Sequence, residues 1–409
     1  MYTVLEYAQD LFQTGTVHLF LVFFAYVWAV WIIKMLLALR YRPFARTDRE
    51  FTSTVILPVY NEPPEIFRTV LDRVKQNNPT ELIVVVDGGD EELVAIAKHY
   101  TNKVCPIPKL GKRLAIAHGY YSARTDTDII LVLDSDTLWE HDMLPQLLAP
   151  FSDPRVGGVT PKQEIFGRDQ NRVRRLAAWI EDIRYRMTVP MQSSFGQIGC
   201  LAGRTIAYRR EPFEQALGPL VTQSFMGVSL HTGDDRVLTN EILKRGWKTV
   251  YQSNAVVLTD APNTWRTFWK QQLRWGRSSQ RETFLSLKWL WRKPVTFFTF
   301  VTDIITPFFL YAVVTFGLIR YLMGAETPLG IPLHWQIGLA YLGMVVSIGL
   351  RQINHFWDRP RDLLTLPLFV LQLTIVMAPT RIIAFATMFK QAWGTRTPLP
   401  EVPGAPVSS

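Results

Sequence analysis

The sequence predicts an α/β domain inserted between transmembrane helices. Three observations predict it. Hydrophobic residues make up 48% of the 409 positions, and they are bunched near the two ends of the chain. Between those ends, short β-branched runs alternate with helix-like stretches, which is α/β order. Several of the runs are continuous and end in Asp or Asn, as parallel strands do when both faces are buried and the C-terminal tips carry ligands. A chain this long has room for one globular domain of roughly 200 residues or more and a second part.

From Val17 to Leu39, "VHLFLVFFAYVWAVWIIKMLLAL" is long enough to cross a bilayer as a helix, with Lys34 near one end where it would snorkel. Arg40, Arg42 and Arg46 follow and no small-residue cleavage site occurs, so the segment is expected to be an anchor with the next domain cytoplasmic. From about Thr52 to Pro262, "STVILPVY", "ELIVVVDGG", "DIILVLDSD" and "VGGVTPKQ" read as strands, with the helices "PPEIFRTVLDRVKQ" and "EELVAIAKHY" between them. After residue 283, "TFLSLKWLWRKP" has the aromatic and basic character of an amphipathic helix in the membrane interface. Spans are expected at about 296–322 and 334–350. The linker between them lacks Lys and Arg, whereas "RQINHFWDRPR" carries Arg351, Arg359 and Arg361, which puts the first loop outside and the second inside. Pro379 and Arg381 divide Leu363–Phe389 into pieces too short to span comfortably, so it reads as a re-entrant or interfacial pair. "WGTR" and the tail "TPLPEVPGAPVSS" are then cytoplasmic, the tail without fixed structure. The expected division is 1–42 anchor, 43–282 cytoplasmic catalytic domain, 283–390 interfacial and transmembrane region, and 391–409 terminal motif and tail, in a multi-pass cell-membrane protein.

The formal charge of +9 suits an anionic partner. No nucleic-acid fingerprint or basic run accompanies it, and cytoplasmic flanks of spans are basic anyway, so the partners are the lipid bilayer and an anionic small substrate rather than nucleic acid. Cys105 and Cys200 are the only cysteines, too few for a disulfide framework or a cysteine zinc site, which fits a reducing compartment.

"LVLDSDTLW" puts Asp134 and Asp136 at a strand tip. Two carboxylates one residue apart repel unless a cation is present, and Mg²⁺ or Mn²⁺ held this way commonly also takes substrate phosphates; taken alone, the pair equally reads as solvated loop acids. Asp87 ends an earlier strand, with Gly88 and Gly89 allowing close approach of a nucleotide base or ribose, or simply making a tight turn. "LGKRLAIAHG" lacks the full phosphate-loop pattern but offers Lys112 and Arg113 at a helix start for a diphosphate. Asp234 and Asp235 precede an amphipathic helix, either as caps or as one oriented carboxylate beside a general base. In "QQLRW", Gln271, Arg274 and Trp275 share a helical face: hydrogen-bonding amide, bidentate diphosphate grip and flat stacking surface for a sugar. A basic aromatic interfacial helix would carry the same residues.

In order, these motifs resemble the membrane-integrated processive glycosyltransferases of family 2: the hyaluronan, chitin and cellulose synthases. The likeness is closest to hyaluronan synthases, through "GKR", "CLAGRTIAYRRE", "GDDRVLTN", "WGRSSQRE" and "WGTR", and covers roughly residues 17–396. Two departures stand out: "AGR" replaces the usual "SGP", and one span rather than two precedes the catalytic domain. The resemblance implies a GT-A, Rossmann-like fold and inverting transfer from UDP-sugar donors onto a growing polysaccharide, assisted by Mg²⁺ or Mn²⁺. It implies that Asp87 contacts uridine, that Lys112 lies near the nucleotide, and that Asp134 and Asp136 are the nucleotide and metal carboxylates. Asp235 looks like the base with Asp234 beside it, Arg274 and Gln271 like diphosphate contacts, and Trp275, Cys200 and Arg204 like the acceptor site. Trp393 and Arg396 resemble the contacts of a loop that covers the donor pocket. Another polysaccharide synthase of chitin, cellulose or capsule type, a non-processive, lipid-directed transferase and a degenerate sugar-nucleotide-binding membrane scaffold are the competing readings, and a homo-oligomer is compatible with each.

Overall fold

The computed structural model describes residues 4–323 and 332–390, with side chains from residue 18 onward except at 333. Trp393 and Arg396 lie outside the described residues. In chain order the first half forms α1 (Val4–Ala38), β1 (Ser53–Val59), α2 (Pro64–Gln76), β2 (Glu81–Asp87), α3 (Glu91–Lys98), β3 (Lys103–Ile107), α4 (Lys112–Tyr121), β4 (Ile129–Leu133), β5 (Thr137–Trp139), α5 (Met143–Leu148), β6 (Val156–Ile165), α6 (Arg172–Ile183) and α7 (Val189–Ser194). The second half forms β7 (Thr205–Arg209), α8 (Arg210–Thr222), β8 (Ser224–Phe225), β9 (Val228–Ser229), α9 (Asp234–Lys244), β10 (Lys248–Thr259), α10 (Trp265–Leu290), α11 (Pro294–Leu322), α12 (Leu333–Arg351), α13 (Ile353–Asp358), α14 (Leu366–Gln372) and α15 (Ala378–Ala386).

Eight strands make one mixed sheet in the order β3-β2-β1-β4-β7-β6-β10-β5. β3, β2, β1 and β4 run parallel, and β7 lies antiparallel to both β4 and β6. All seven residues of β1 are buried, because helices cover both faces of the sheet. Strand alternation divides them: Val55, Leu57 and Val59 join one core with Phe67, Val70, Leu71 and Val74 of α2, while Ile56 joins the other core with Ile116 of α4 and Leu238 of α9. The α2 residues recur at the spacing of one helical face, and removing a buried ring such as Phe67 costs about 3–5 kcal/mol. Gly119 lets α4 lie directly on β1, where a Cβ would collide with Ile56. The consequence for function is at the tips: β2, β1 and β4 end side by side, so Asp87, the loop after Val59, and Asp134 open onto one edge.

A third core joins this domain to the helices that follow it, with Trp179 of α6 stacked on Phe369 of α14 at 3.9 Å and Phe268 of α10 in the same cluster. Among the described residues, three helical segments are long and apolar enough to cross a membrane: His18–Ala38, Pro294–Leu322 and Pro360–Ala386. In the last, the two pieces expected to be divided at Pro379 form one continuous helical run. A π-helical turn at Leu373–Met377 admits Pro379 without ending the helix, and the Tyr311 hydroxyl donates to the Thr374 carbonyl at 2.9 Å, five residues before that proline. α12 forms where the second C-terminal span was expected. Lys34 does not snorkel: it is 8% exposed and pairs inward with Asp303 of α11 at 3.6 Å. The expected interfacial helix after residue 283 is not separate either; it continues the helix that carries "QQLRW", as α10.

Candidate active site

At the strand tips the polar residues converge. Asp87 is buried and its carboxylate accepts from the backbone N–H groups of Leu110 (2.6 Å) and Gly111 (3.0 Å), which fixes the turn that starts α4. That turn delivers Lys112, whose Nζ lies 2.6 Å from Asp134 and 2.8 Å from Asp234. One ammonium therefore joins the first carboxylate motif to the second. Burial opposes its charge, but the two carboxylates outweigh burial and raise its pKa.

Asp134 is held at the tip of β4 by its own N–H, which donates to the Arg204 carbonyl at 2.9 Å. Ser135 turns away and donates to Glu62 at 2.6 Å. Asp136 faces Asp134 and Glu62, and burial together with those two charges pushes its carboxyl up to about 6. Arg204 and Lys112 offset this rise only in part, so Asp136 with Asp134 could hold a divalent cation: Mg²⁺ or Mn²⁺ is commonly held by one or two carboxylates, with phosphate oxygens completing the shell. Among the described residues no group of three or more His, Cys, Asp or Glu is disposed to hold a metal without such help.

Asp234 and Asp235 open α9, where the helix N-terminus favours negative charge. Their environments differ. Burial raises both, yet Lys112 and then Arg113 pull Asp234 below its usual value, whereas Asp235 stays raised by burial and by Asp234 itself. Asp235 accepts from the Arg236 N–H at 2.8 Å, and the Cys200 thiol lies 3.6 Å from its other oxygen. Burial and the Asp235 charge push that thiol up to about 11, so it remains protonated and can donate. One paired acid and one raised acid is the division expected of an orienting carboxylate beside a general base.

Arg204 packs 5.7 Å from the Trp275 ring, donates to Gln163 at 2.8 Å and pairs with Glu181 at 3.2 Å. Gln271, Arg274 and Trp275 line the same cavity, of about 650 Å³, as Asp87, Lys112, Asp134, Asp136, Cys200, Asp234 and Asp235. Of the expected site residues within the described part of the chain, these are brought together, but Arg113, expected beside Lys112 at the diphosphate, is buried outside the cavity and donates to the Leu220 and Thr232 carbonyls instead. The cavity also holds residues that motif spacing missed: Glu62, Glu181, Arg184, Asp303 and Arg381. Glu62 was findable, since it follows β1 at a parallel-strand tip. Asp303 and Arg381 sit in apolar helices, and Glu181 and Arg184 have the pattern of ordinary charges in and just after the amphipathic α6.

The sheet with its acidic strand tips is the GT-A arrangement of a glycosyltransferase. A mannosyltransferase of Pyrobaculum calidifontis solved in complex with GDP-Man and Mn²⁺ shares the fold, with a TM-score of 0.60 at 16% identity, covering 88% of this chain and 99% of that one. Residues 52–278 match the family described as "Glycosyltransferase like family 2", and the chain belongs to that family. A hyaluronan synthase of Streptococcus pyogenes serotype M3 is 28% identical over 401 residues, 94% of this chain and 92% of its own. An N-acetylglucosaminyltransferase of Rhizobium meliloti is 30% identical over 367 residues, 85% of this chain and 82% of its own.

Proposed function

We propose that the protein is a processive, inverting β-glycosyltransferase that polymerises sugars from UDP-sugar donors at the cytoplasmic face of the membrane and exports the product, with UDP-GlcNAc and UDP-GlcA as donors and hyaluronan as product. The observation that carries the reading is the single cavity lined by Lys112, Asp134, Asp136, Asp235 and Trp275 together with Asp303 and Arg381 of helices long and apolar enough to cross a membrane. Likeness to a hyaluronan synthase over 94% of the chain supports the choice of product.

In this reading Asp87 holds the turn of α4 beside the uridine, and Lys112, Gln271 and Arg274 bind the diphosphate. Trp275 stacks the terminal acceptor sugar, with Arg204 and Cys200 beside it. Asp235 takes the proton of the acceptor hydroxyl as that oxygen bonds to the anomeric carbon from the face opposite UDP; the bond from that carbon to the diphosphate oxygen breaks and UDP leaves with the electron pair. Asp234, neutralised by Lys112, keeps its neighbour oriented. Mg²⁺ or Mn²⁺ bound at Asp136 and Asp134 would neutralise charge on the leaving diphosphate. Trp393 and Arg396 would cover the donor, and residues 43–282 would be the catalytic unit.

The test is UDP release by the purified protein with Mn²⁺ or Mg²⁺, using each UDP-sugar alone and in pairs, then sizing and hyaluronidase digestion of the product. A long digestible polymer that requires UDP-GlcNAc and UDP-GlcA together is expected. The Rhizobium relative's name favours a second reading, transfer of N-acetylglucosamine alone; turnover and product from UDP-GlcNAc by itself would replace the first reading with that one.

A further inference from the structure

The loop that leads into Asp234 and Asp235 is held from behind by two buried arginines on different helices. Arg113 of α4 donates to the Thr232 carbonyl at 2.5 Å and to the Leu220 carbonyl at 3.1 Å. Arg281 of α10 donates one Nη to the Thr232 hydroxyl at 2.9 Å and the other to the Met388 carbonyl at 2.8 Å. Arg281 is 2% exposed and Thr232 7%. The next residue, Gly233, has φ +81°, and a Cβ there would collide with Ser278 Oγ, so α10 is pressed against the loop as well as bonded to it. Arg277 completes the arrangement by donating to Thr387 at 2.9 Å, one α10 turn before Arg281.

We propose that Arg281 is a positioning residue for Asp235: its guanidinium ties the Thr232 hydroxyl to the backbone that follows α15, and so sets where the carboxylate three residues further on stands in the cavity. The inference rests on the reading of Asp235 as the base. Thr232 and Ser278 form the cavity wall and Arg281 stands behind them, so it acts through the loop and not on the substrate. Only an arginine meets this geometry, because its planar fork presents separate donors to acceptors on two sides, whereas a lysine ammonium is a compact point charge. Leaving either acceptor unpaired in a buried site also loosens the loop. A displacement of about 1 Å at a reacting group costs on the order of 100-fold in rate.

The experiment compares Thr232→Ser, Thr232→Val and Arg281→Lys with wild type and with Asp235→Asn, measuring turnover of UDP-GlcNAc plus UDP-GlcA and, separately, UDP affinity by calorimetry with Mn²⁺. Thr232→Val and Arg281→Lys are expected to lose turnover about 10- to 100-fold with UDP affinity kept within about twofold, while Thr232→Ser, which retains the hydroxyl, stays within about threefold of wild type. Equal turnover in the Ser and Val variants, whether both high or both low, overturns the proposal, because the hydroxyl would then carry no part of the effect. Should Arg281→Lys fail to fold, the Thr232 pair decides. Full turnover by Asp235→Asn instead sinks the assignment of the base, an outcome separate from wild-type-like Thr232→Val alongside a dead Asp235→Asn, which sinks the role of Arg281 alone.

Discussion

Replacing Lys112 by methionine removes the one ammonium shared by Asp134 and Asp234 and leaves two carboxylates facing a space that the reading gives to a diphosphate. At 2.6 and 2.8 Å each direct attraction is gross about 6 kcal/mol in an effective dielectric of about 20, most of it offset by desolvation. Breaking a fully buried pair costs about 3–5 kcal/mol, and an exposed pair is worth under about 1. The side chains of Lys112, Asp134 and Asp234 are 21%, 30% and 15% exposed, between those limits. A net loss of roughly 2–3 kcal/mol of stability follows, and because the stranded carboxylates then face the diphosphate without the cation, UDP affinity is expected to fall by a comparable order, about 30- to 150-fold. Calorimetric titration of UDP at fixed Mn²⁺ measures it, with gel filtration in detergent to check the fold. Adding Asp234→Asn to Lys112→Met removes one of the stranded charges and is expected to recover at least about fivefold, a coupling that independent sites do not show. Wild-type UDP affinity in Lys112→Met would refute the placement of the diphosphate; a double variant no better than the single one would refute the electrostatic explanation.

Asp235→Asn keeps the shape of the side chain and its contact with the Arg236 N–H but cannot take a proton, so kcat should fall by about 10²- to 10⁴-fold with UDP affinity unchanged, as rapid-quench and binding measurements would show. Because burial and Asp234 raise Asp235, activity should fall on acidification at a pH above the ordinary aspartate value of about 3.9; Asp234→Asn removes the raising charge and should move that acid limb to lower pH, and an unmoved limb would assign it to another group. His355 lies between Asp182 (2.6 Å) and Asp362 (2.9 Å), with Arg186 and Arg168 on those acids, and the carboxylates overcome burial to raise its pKa. Its contribution is therefore fully present below the unfolded value of about 6.5 and lost as pH rises through the higher folded value, so thermal stability in detergent should decline over that window in wild type and not in His355→Gln.

The candidate site was legible wherever local pattern and chemistry coincide. Asp87 and Asp134 stand at the ends of apolar β-branched runs, and β2 and β4 form there with the tips aligned through β1. Gln271, Arg274 and Trp275 share a helical face by spacing alone, and all three reach the cavity. Legibility failed where a residue's meaning depends on a partner far along the chain. Lys34 in an apolar run has the pattern of a snorkelling lysine until Asp303 of another helix is opposite it. Pro379 has the pattern of a helix breaker until a π-helical turn and the Tyr311 hydroxyl accommodate it. Glu181 and Arg184 look like ordinary charges on an amphipathic helix until that helix is laid along the cavity.

By itself the sequence determined which residues carry charge at strand tips, where apolar runs are long enough for a bilayer, and which α10 residues point together, because these follow from periods of two and of 3.6 residues. The tertiary structure alone decided that Lys112 stands between Asp134 and Asp234, that Asp235 rather than Asp234 is left with a raised carboxyl, and that α10 meets the cavity, the carboxylate loop and the end of α15 at once. The physical reason is that an ion pair or a pKa depends on distance and burial between elements remote in sequence. Those distances are set by the strand order β1-β4-β7-β6 and by the helices laid across it, and no local periodicity encodes that order.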